Sequence, residues 1–247
     1  MKPLLRAELI KLGTTRTFAG LAGAAIAISV LITVLVAVLT EPTEDSVLVD
    51  VFSSDLSAFF IFMLAVIGIG GEWRHRTITS SLLAAPDRLR SLAAKALAFA
   101  AAGAVLSVMV SVAVTIVGTA VVSARGLPMP EAGELAALLG RNAIVATLVG
   151  ALGVGLGALV RNQVVAVVGV LVLGFVVEPT LISLVPEVGR FGPFSALPTS
   201  LSGIPAEDAG LGGVDLLAPE LAALTMMAWI GAAFAAGYAL LRARDVH

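Results

Sequence analysis

The chain has no cysteine, one tyrosine, two histidines and only 13% charged residues. Without thiols there is no disulfide framework, no thiol nucleophile and no thiolate metal site. His75 and His247 are the only imidazoles, and neither has neighbours of metal-ligand type. The sequence H-E-x-x-H is absent, and so is the glycine-rich loop G-x-x-x-x-G-K-[S/T] that cradles nucleotide phosphates. A membrane serine protease needs a histidine base at membrane depth, and neither histidine is placed for that. No catalytic, cofactor-binding or metal-binding residue is therefore expected, and the chain does not read as an enzyme.

What is abundant is apolar sequence. Hydrophobic residues make up 59% of the chain and the mean hydropathy is +1.05. The charged fraction is half of the roughly 25% of ordinary soluble domains. Each membrane-spanning helix needs about 20 apolar residues, and six runs qualify: residues 18–39, 52–71, 96–122, 135–160, 164–185 (interrupted) and 220–241. The runs are continuous and not alternating, which excludes an outer-membrane barrel. The first begins only after Arg16, is too long for a signal-peptide core and ends in Thr40-Glu41-Pro42, so it reads as a retained span.

Charge divides sharply between alternate connections. Lys2, Arg6, Lys11, Arg16, Arg74, Arg76, Arg88, Arg90, Lys95, Arg161, Arg242 and Arg244 fall on one side. The other side holds only Arg125, Arg141 and Arg190 among the basic residues, with most of the acids. The basic side is cytoplasmic by the positive-inside rule, which puts both termini inside, as an even number of spans requires. The cytoplasmic acids Glu8, Glu72, Asp87 and Asp245 are widely separated, so no carboxylate cluster for lipid-phosphate chemistry is evident.

Four local features refine this layout. Residues 1–17 read as an amphipathic interfacial helix, with Leu5, Leu9 and Leu12 on one face among basic residues. In the third span Gly103, Ser107, Ser111, Thr115, Thr119 and Ser123 recur every four residues, a spacing that favours close helix packing over a substrate-facing wall. The fifth span is interrupted by Glu178-Pro179, and the Pro-rich apolar residues after it suggest partial re-entry within an outer segment, residues 178–218. Ionisable residues in or near spans are candidate functional groups. Here they are Glu178, beside Pro179, and Asp55, one turn inside the second span. The simpler reading, a hydrated carboxylate at headgroup level, is preferred for both. Arg141 could pair with either.

The most distinctive stretch is residues 72–95, a charged cytoplasmic interruption between spans two and three. Residues 77–85 form a short predicted helix that Pro86 stops, and Asp87 is a good N-cap for a helix running on into the third span. Its Glu72, Thr77, Leu82, Leu83, Pro86, Arg88 and Lys95 resemble the signature of the permease subunits of bacterial ABC exporters of the antibiotic and drug-resistance type. The opening Glu8-Leu9-Ile10-Lys11 with Arg16 resembles that family's N-terminus, although Arg76 stands where glycine is usual.

The resemblance implies an all-α polytopic membrane protein: a single permease domain of six transmembrane helices in a bacterial cytoplasmic membrane. It implies that residues 77–85 are a coupling helix. They would dock on a separate ABC ATPase, present in two copies and carrying the ATP and Mg, with Glu72, Arg74, Thr77, Leu82, Leu83, Pro86 and Arg88 at the joint. It also implies a second permease copy or a homologous permease, contact with membrane lipid, no nucleic acid, and an outer gate near Glu178. A non-pumping membrane sensor or immunity protein is the alternative. The substrate is not legible.

Overall fold

The computed structural model describes residues 1–74, 87–160 and 162–243; Thr77, Leu82, Leu83 and Pro86, expected from the resemblance to couple to an ATPase, lie outside them. All regular structure among the described residues is helical. The order is α1 (Lys2–Thr14), α2 (Arg16–Leu39), α3 (Val47–Phe52), α4 (Ser57–Arg74), α5 (Arg88–Ala124) and α6 (Ala132–Leu159). There follow α7 (Gln163–Leu184), α8 (Pro186–Gly189), α9 (Ala196–Ser202) and α10 (Pro219–Ala243). Among the described residues, six helical stretches are long and apolar enough to cross a membrane. They match the six runs expected from sequence to within a few residues, apart from the third span, whose helix starts earlier, and the second, which begins with the short helix α3 at Val47 and continues as α4 only from Ser57.

Local sequence accounts for the helix ends. Asp87 caps α5, accepting hydrogen bonds from the backbone N–H groups of Leu89 and Arg90, each 3.1 Å. Asn162 does the same for α7 through Val164 and Val165. Glu131 and Glu134 form a reciprocal capping box at the start of α6. α5 is continuous for 37 residues, about 55 Å at 1.5 Å per residue. That exceeds the roughly 30 Å hydrocarbon thickness, so α5 extends well beyond an apolar slab.

The core is a seam of small residues joining α4, α5 and α6. Gly103 lies directly against the carbonyl of Ala146, and Gly150 against the carbonyl of Phe99. Gly153 and Gly157 receive Phe62, Ala65, Val66 and Ile69 of α4. Gly155 and Gly237 let α10 close on α6 in the same way. Lipid tails supply no hydrophobic drive between helices, so dispersion at such close approaches holds the bundle together. The outward faces are apolar instead: Leu31, Val105, Ile116, Val164 and Phe175 are all more than half exposed, as a lipid-facing surface requires.

The fifth span differs from expectation. Glu178-Pro179 does not interrupt it. The α-helix Gln163–Val172 passes through a π turn, Leu173–Val177, and resumes as Glu178–Leu184. Pro179 has no N–H to give the ladder, and the wider turn before it absorbs the mismatch. Beyond it, α8 folds back on α7 so tightly that Gly189 touches the backbone of Ile182. α9 packs against α6 and α10, with Leu197 fully buried among Phe62, Val149, Leu152 and Met226.

The seam makes a direct prediction. A Cβ on Gly150 would stand 2.7 Å from the Phe99 carbonyl oxygen, whereas one on Gly140 of the same helix meets nothing within 4 Å. Gly150→Val is expected to destabilise the chain by about 1–3 kcal/mol or more. Gly140→Ala is expected to be neutral or to stabilise it by up to about 1 kcal/mol. Thermal unfolding in detergent, read by loss of monodisperse protein, separates the two.

Candidate functional site

The structure gathers four charged side chains from three elements at one end of the bundle. Lys95, on the second turn of α5 and facing inward, is 6% exposed. Its ammonium donates to Glu8 of α1 and to Glu72 at the end of α4, each at 2.6 Å. Glu72 is 5% exposed and also accepts from Lys11 of α1. The N-terminal helix thus supplies one partner of Glu72, Lys11, and α5 the other, Lys95.

α1 is positioned by this cluster. Leu5, Glu8 and Leu12 turn toward the bundle, while Leu9, expected on the same face, is 41% exposed with Ile10 beside it. The helix packs on α5 and on the start of α2 and fully buries none of its residues. Its attachment therefore rests on the ion pairs and a few apolar contacts. Arg74 closes α4 and Arg88 opens α5, so the undescribed connection 75–86 springs from the two helix ends that the cluster ties together.

Beside the cluster is a half-open cavity of about 410 Å³. Its polar rim includes Glu8, Lys11, Glu72 and Gln163, and its wall includes Leu64, Ile67 and Phe99. No cluster of three or more His, Cys, Asp or Glu side chains able to hold a metal ion occurs among the described residues.

No model of a known protein family and no curated protein sequence matches the chain. What the site can do must be read from its own geometry.

The other candidates lie toward the far end of the bundle, in separate places. Glu178 is not the hydrated surface carboxylate preferred from sequence. It is 4% exposed and accepts four hydrogen bonds: from the backbone N–H groups of Phe194, Ser195 and Ala196 at 2.8, 2.7 and 3.1 Å, and from the Ser195 hydroxyl at 2.6 Å. It thus caps the start of α9 and holds the Phe191–Ala196 loop onto α7. Gly192 has no side chain because its Cβ position is filled by the Glu178 carboxylate.

Asp55 lies in the break between α3 and α4, and not one turn inside a helix. It caps α4 through the Ser57 N–H at 2.7 Å and accepts from the hydroxyls of Ser107 and Ser111 on α5. Two members of the four-residue stripe thus serve helix packing, and Gly103 does so too. Arg141 pairs with neither Asp55 nor Glu178; its exposed guanidinium lies over Gly203. Arg125, which sequence reading took only as an outer charge, donates to the carbonyls of Ala37 and Thr40 and so closes the end of α2.

Sequence reading missed Lys95 as a partner of Glu72, and Glu8 as the second partner of Lys95. The signal was a single lysine in Leu92-Ala93-Ala94-Lys95-Ala96-Leu97: a cation on the inward side of an apolar helix requires an acid.

Two outcomes follow. Lys95→Met leaves Glu72 buried with only half-exposed Lys11 for company, and a loss of about 3–5 kcal/mol is expected. The double variant Glu72→Gln with Lys95→Gln removes one charge of each sign and should lose measurably less than the sum of the two single variants in thermal unfolding. At the far end, Glu178→Gln turns an amide N–H₂ toward three backbone N–H groups, with only the Ser195 hydroxyl able to accept from it. The bundle should persist, while amide hydrogen exchange at Phe194–Ala196 accelerates at least about tenfold.

Proposed function

We propose that the chain is the membrane-spanning permease subunit of an ATP-driven ABC exporter, working with a second permease copy or homologous permease and two separate ATPase subunits. The observation that carries this reading is the Glu8–Lys11–Glu72–Lys95 cluster. It joins the N-terminal helix, the end of α4 and the start of α5 into one unit at the root of the 75–86 connection. A force applied to that connection is thereby delivered to two long helices at once, as a lever requires.

Further support comes from charge and composition. The cluster end carries the basic residues of residues 1–16 and 88–95, which the positive-inside rule assigns to the cytoplasm, where ATP is available. α10 runs back to that same end, since Gly237 lies against Gly155 and Ala158 near the end of α6. In the coupling segment, Leu82 and Leu83 would fill an apolar groove on the ATPase. Arg74, Thr77, Pro86 and Arg88 would set register and turn geometry around them. ATP-driven closure of the ATPase pair would then tilt α4 and α5 together, a rigid-body switch between packed states. The outer segment held by Glu178 would serve as the gate at the opposite face.

Affinity capture of the tagged chain from its native membrane tests this. An ABC ATPase is expected in the eluate, and Leu82→Asp should weaken its retention by about 2 kcal/mol, roughly thirtyfold in affinity. A wild-type chain that captures no ATPase under mild detergent removes the proposal.

A further inference from the structure

A second cavity lies between α7, α10 and the loop that follows α8. Its volume is about 480 Å³, within the range of small-ligand sites. Leu156 of α6, Leu173 and Val177 of α7, Phe191 and Phe194 of the loop, and Trp229 of α10 supply its walls. The surface they enclose is almost wholly apolar. The polar groups that border it are engaged elsewhere. The Glu178 carboxylate is bonded to Phe194, Ser195 and Ala196. The Trp229 indole N–H donates to the Phe191 carbonyl at 2.9 Å. Glu187, exposed on α8, adds almost no polar surface. A ligand that needs a hydrogen bond or a counter-charge finds neither here. Water is disfavoured on the same ground, because a bound water needs several polar partners. The walls accept hydrocarbon.

Depth says where that hydrocarbon comes from. Trp229 lies ten residues after Pro219, about 15 Å along the helix and near the middle of the 25-residue α10. Its hydrogen bond holds the Phe191 end of the loop at the same level. The cavity is half-open, and Val177, Leu181, Val188 and Trp229 around it are each more than a third exposed. The mouth thus opens on the apolar outer face of the bundle, midway along a spanning helix, where a bilayer presents acyl tails. A tail gains nothing from leaving other tails. Fixed walls offer it dispersion contacts, which the lining lacks while the space is empty. Phe191 and Phe194 belong to the loop that Glu178 pins, so a seated tail also fills the space behind that loop.

We infer that this cavity binds the acyl tail of a membrane lipid, selected by its hydrocarbon and not by its headgroup, and that the bound tail braces the Phe191–Ala196 loop. The inference goes beyond the transport reading and does not depend on it, since it concerns the chain without an ATPase.

The test uses the full chain in lipid-free detergent micelles. Trp73→Phe leaves Trp229 as the only tryptophan. Phosphatidylcholine and phosphatidylglycerol with brominated acyl chains, and brominated methyl stearate, are titrated separately, and quenching of Trp229 fluorescence is read. Both phospholipids should give saturable quenching at the same mole fraction, several-fold below that at which a reporter on an outer helix face responds. That reporter is Ile116→Trp with both native tryptophans changed to Phe, since Ile116 is 64% exposed on α5. The ester should quench alongside them, because the chain carries the recognition. Val177→Phe puts a ring into the cavity and should remove the saturable part. In the unaltered chain, unbrominated phosphatidylcholine should slow amide exchange at Phe194–Ala196 several-fold and leave exchange at Leu89 and Arg90, under the Asp87 cap, unchanged. Quenching that only rises in proportion to mole fraction, a preference for one headgroup, quenching by the ester alone, or unchanged exchange at Phe194–Ala196 overturns the inference.

Discussion

The burial of Lys95 sets the terms for one whole end of this protein. An ammonium withdrawn from water costs several kcal/mol unless it is matched by charge and hydrogen bonds. Here two carboxylates match it, and they come from different helices. Glu72 ends α4 and Glu8 sits mid-way along α1, so the geometry that satisfies Lys95 also fixes both elements against α5. Lys11 then balances the second carboxylate. None of the four can leave without exposing a mismatch in the other three. An N-terminal helix with no fully buried residue is thus tied to the bundle through two ion pairs.

The far end solves its polar problem differently. There the recurring device is a charged side chain spent on backbone. Glu178 takes three N–H groups at the start of α9, Asp55 caps α4, and Arg125 covers carbonyls at the end of α2. Each satisfies the orphan groups that a helix terminus leaves unpaired. Side chains that hold backbone termini shape loops locally, whereas ion pairs between helices bind whole elements. The contrast gives the two ends different mechanical characters. One is a joint between long helices, and the other is a set of separately pinned connections.

Much of this fold was legible in the sequence because membrane helices are written in long apolar runs. The cap at Asp87 follows from residue type, and the close packing at Gly103 from the four-residue spacing of small residues. What was not legible depends on facing. Lys95 and Glu8 are 87 residues apart, and only the bundle brings them together. The fifth span read as broken because proline ordinarily ends an α-helix; a π turn restores continuity, and no residue pattern announces it. Glu178 read as hydrated because its partners are backbone N–H groups, which the sequence does not distinguish from any others.

The glycine seam determines how movement at the joint can spread. Gly103 and Gly150 bring α5 and α6 into backbone contact, and Gly153 and Gly157 do the same for α6 and α4. Interfaces this close cannot slide by small amounts without steric overlap, because they lack side chains that could readjust. A displacement delivered to α4 and α5 at the cluster therefore carries α6 with it as one body. Compliance must lie where the helical ladder is already irregular: the break at residues 53–56 and the π turn at Leu173–Val177. Asp55 stands in the first, and Glu178 directly follows the second. The two far-end carboxylates thus sit at the points where a rigid core has to meet its connections, and their hydrogen bonds to Ser107, Ser111, Ser195 and the α9 backbone set how far those connections can follow.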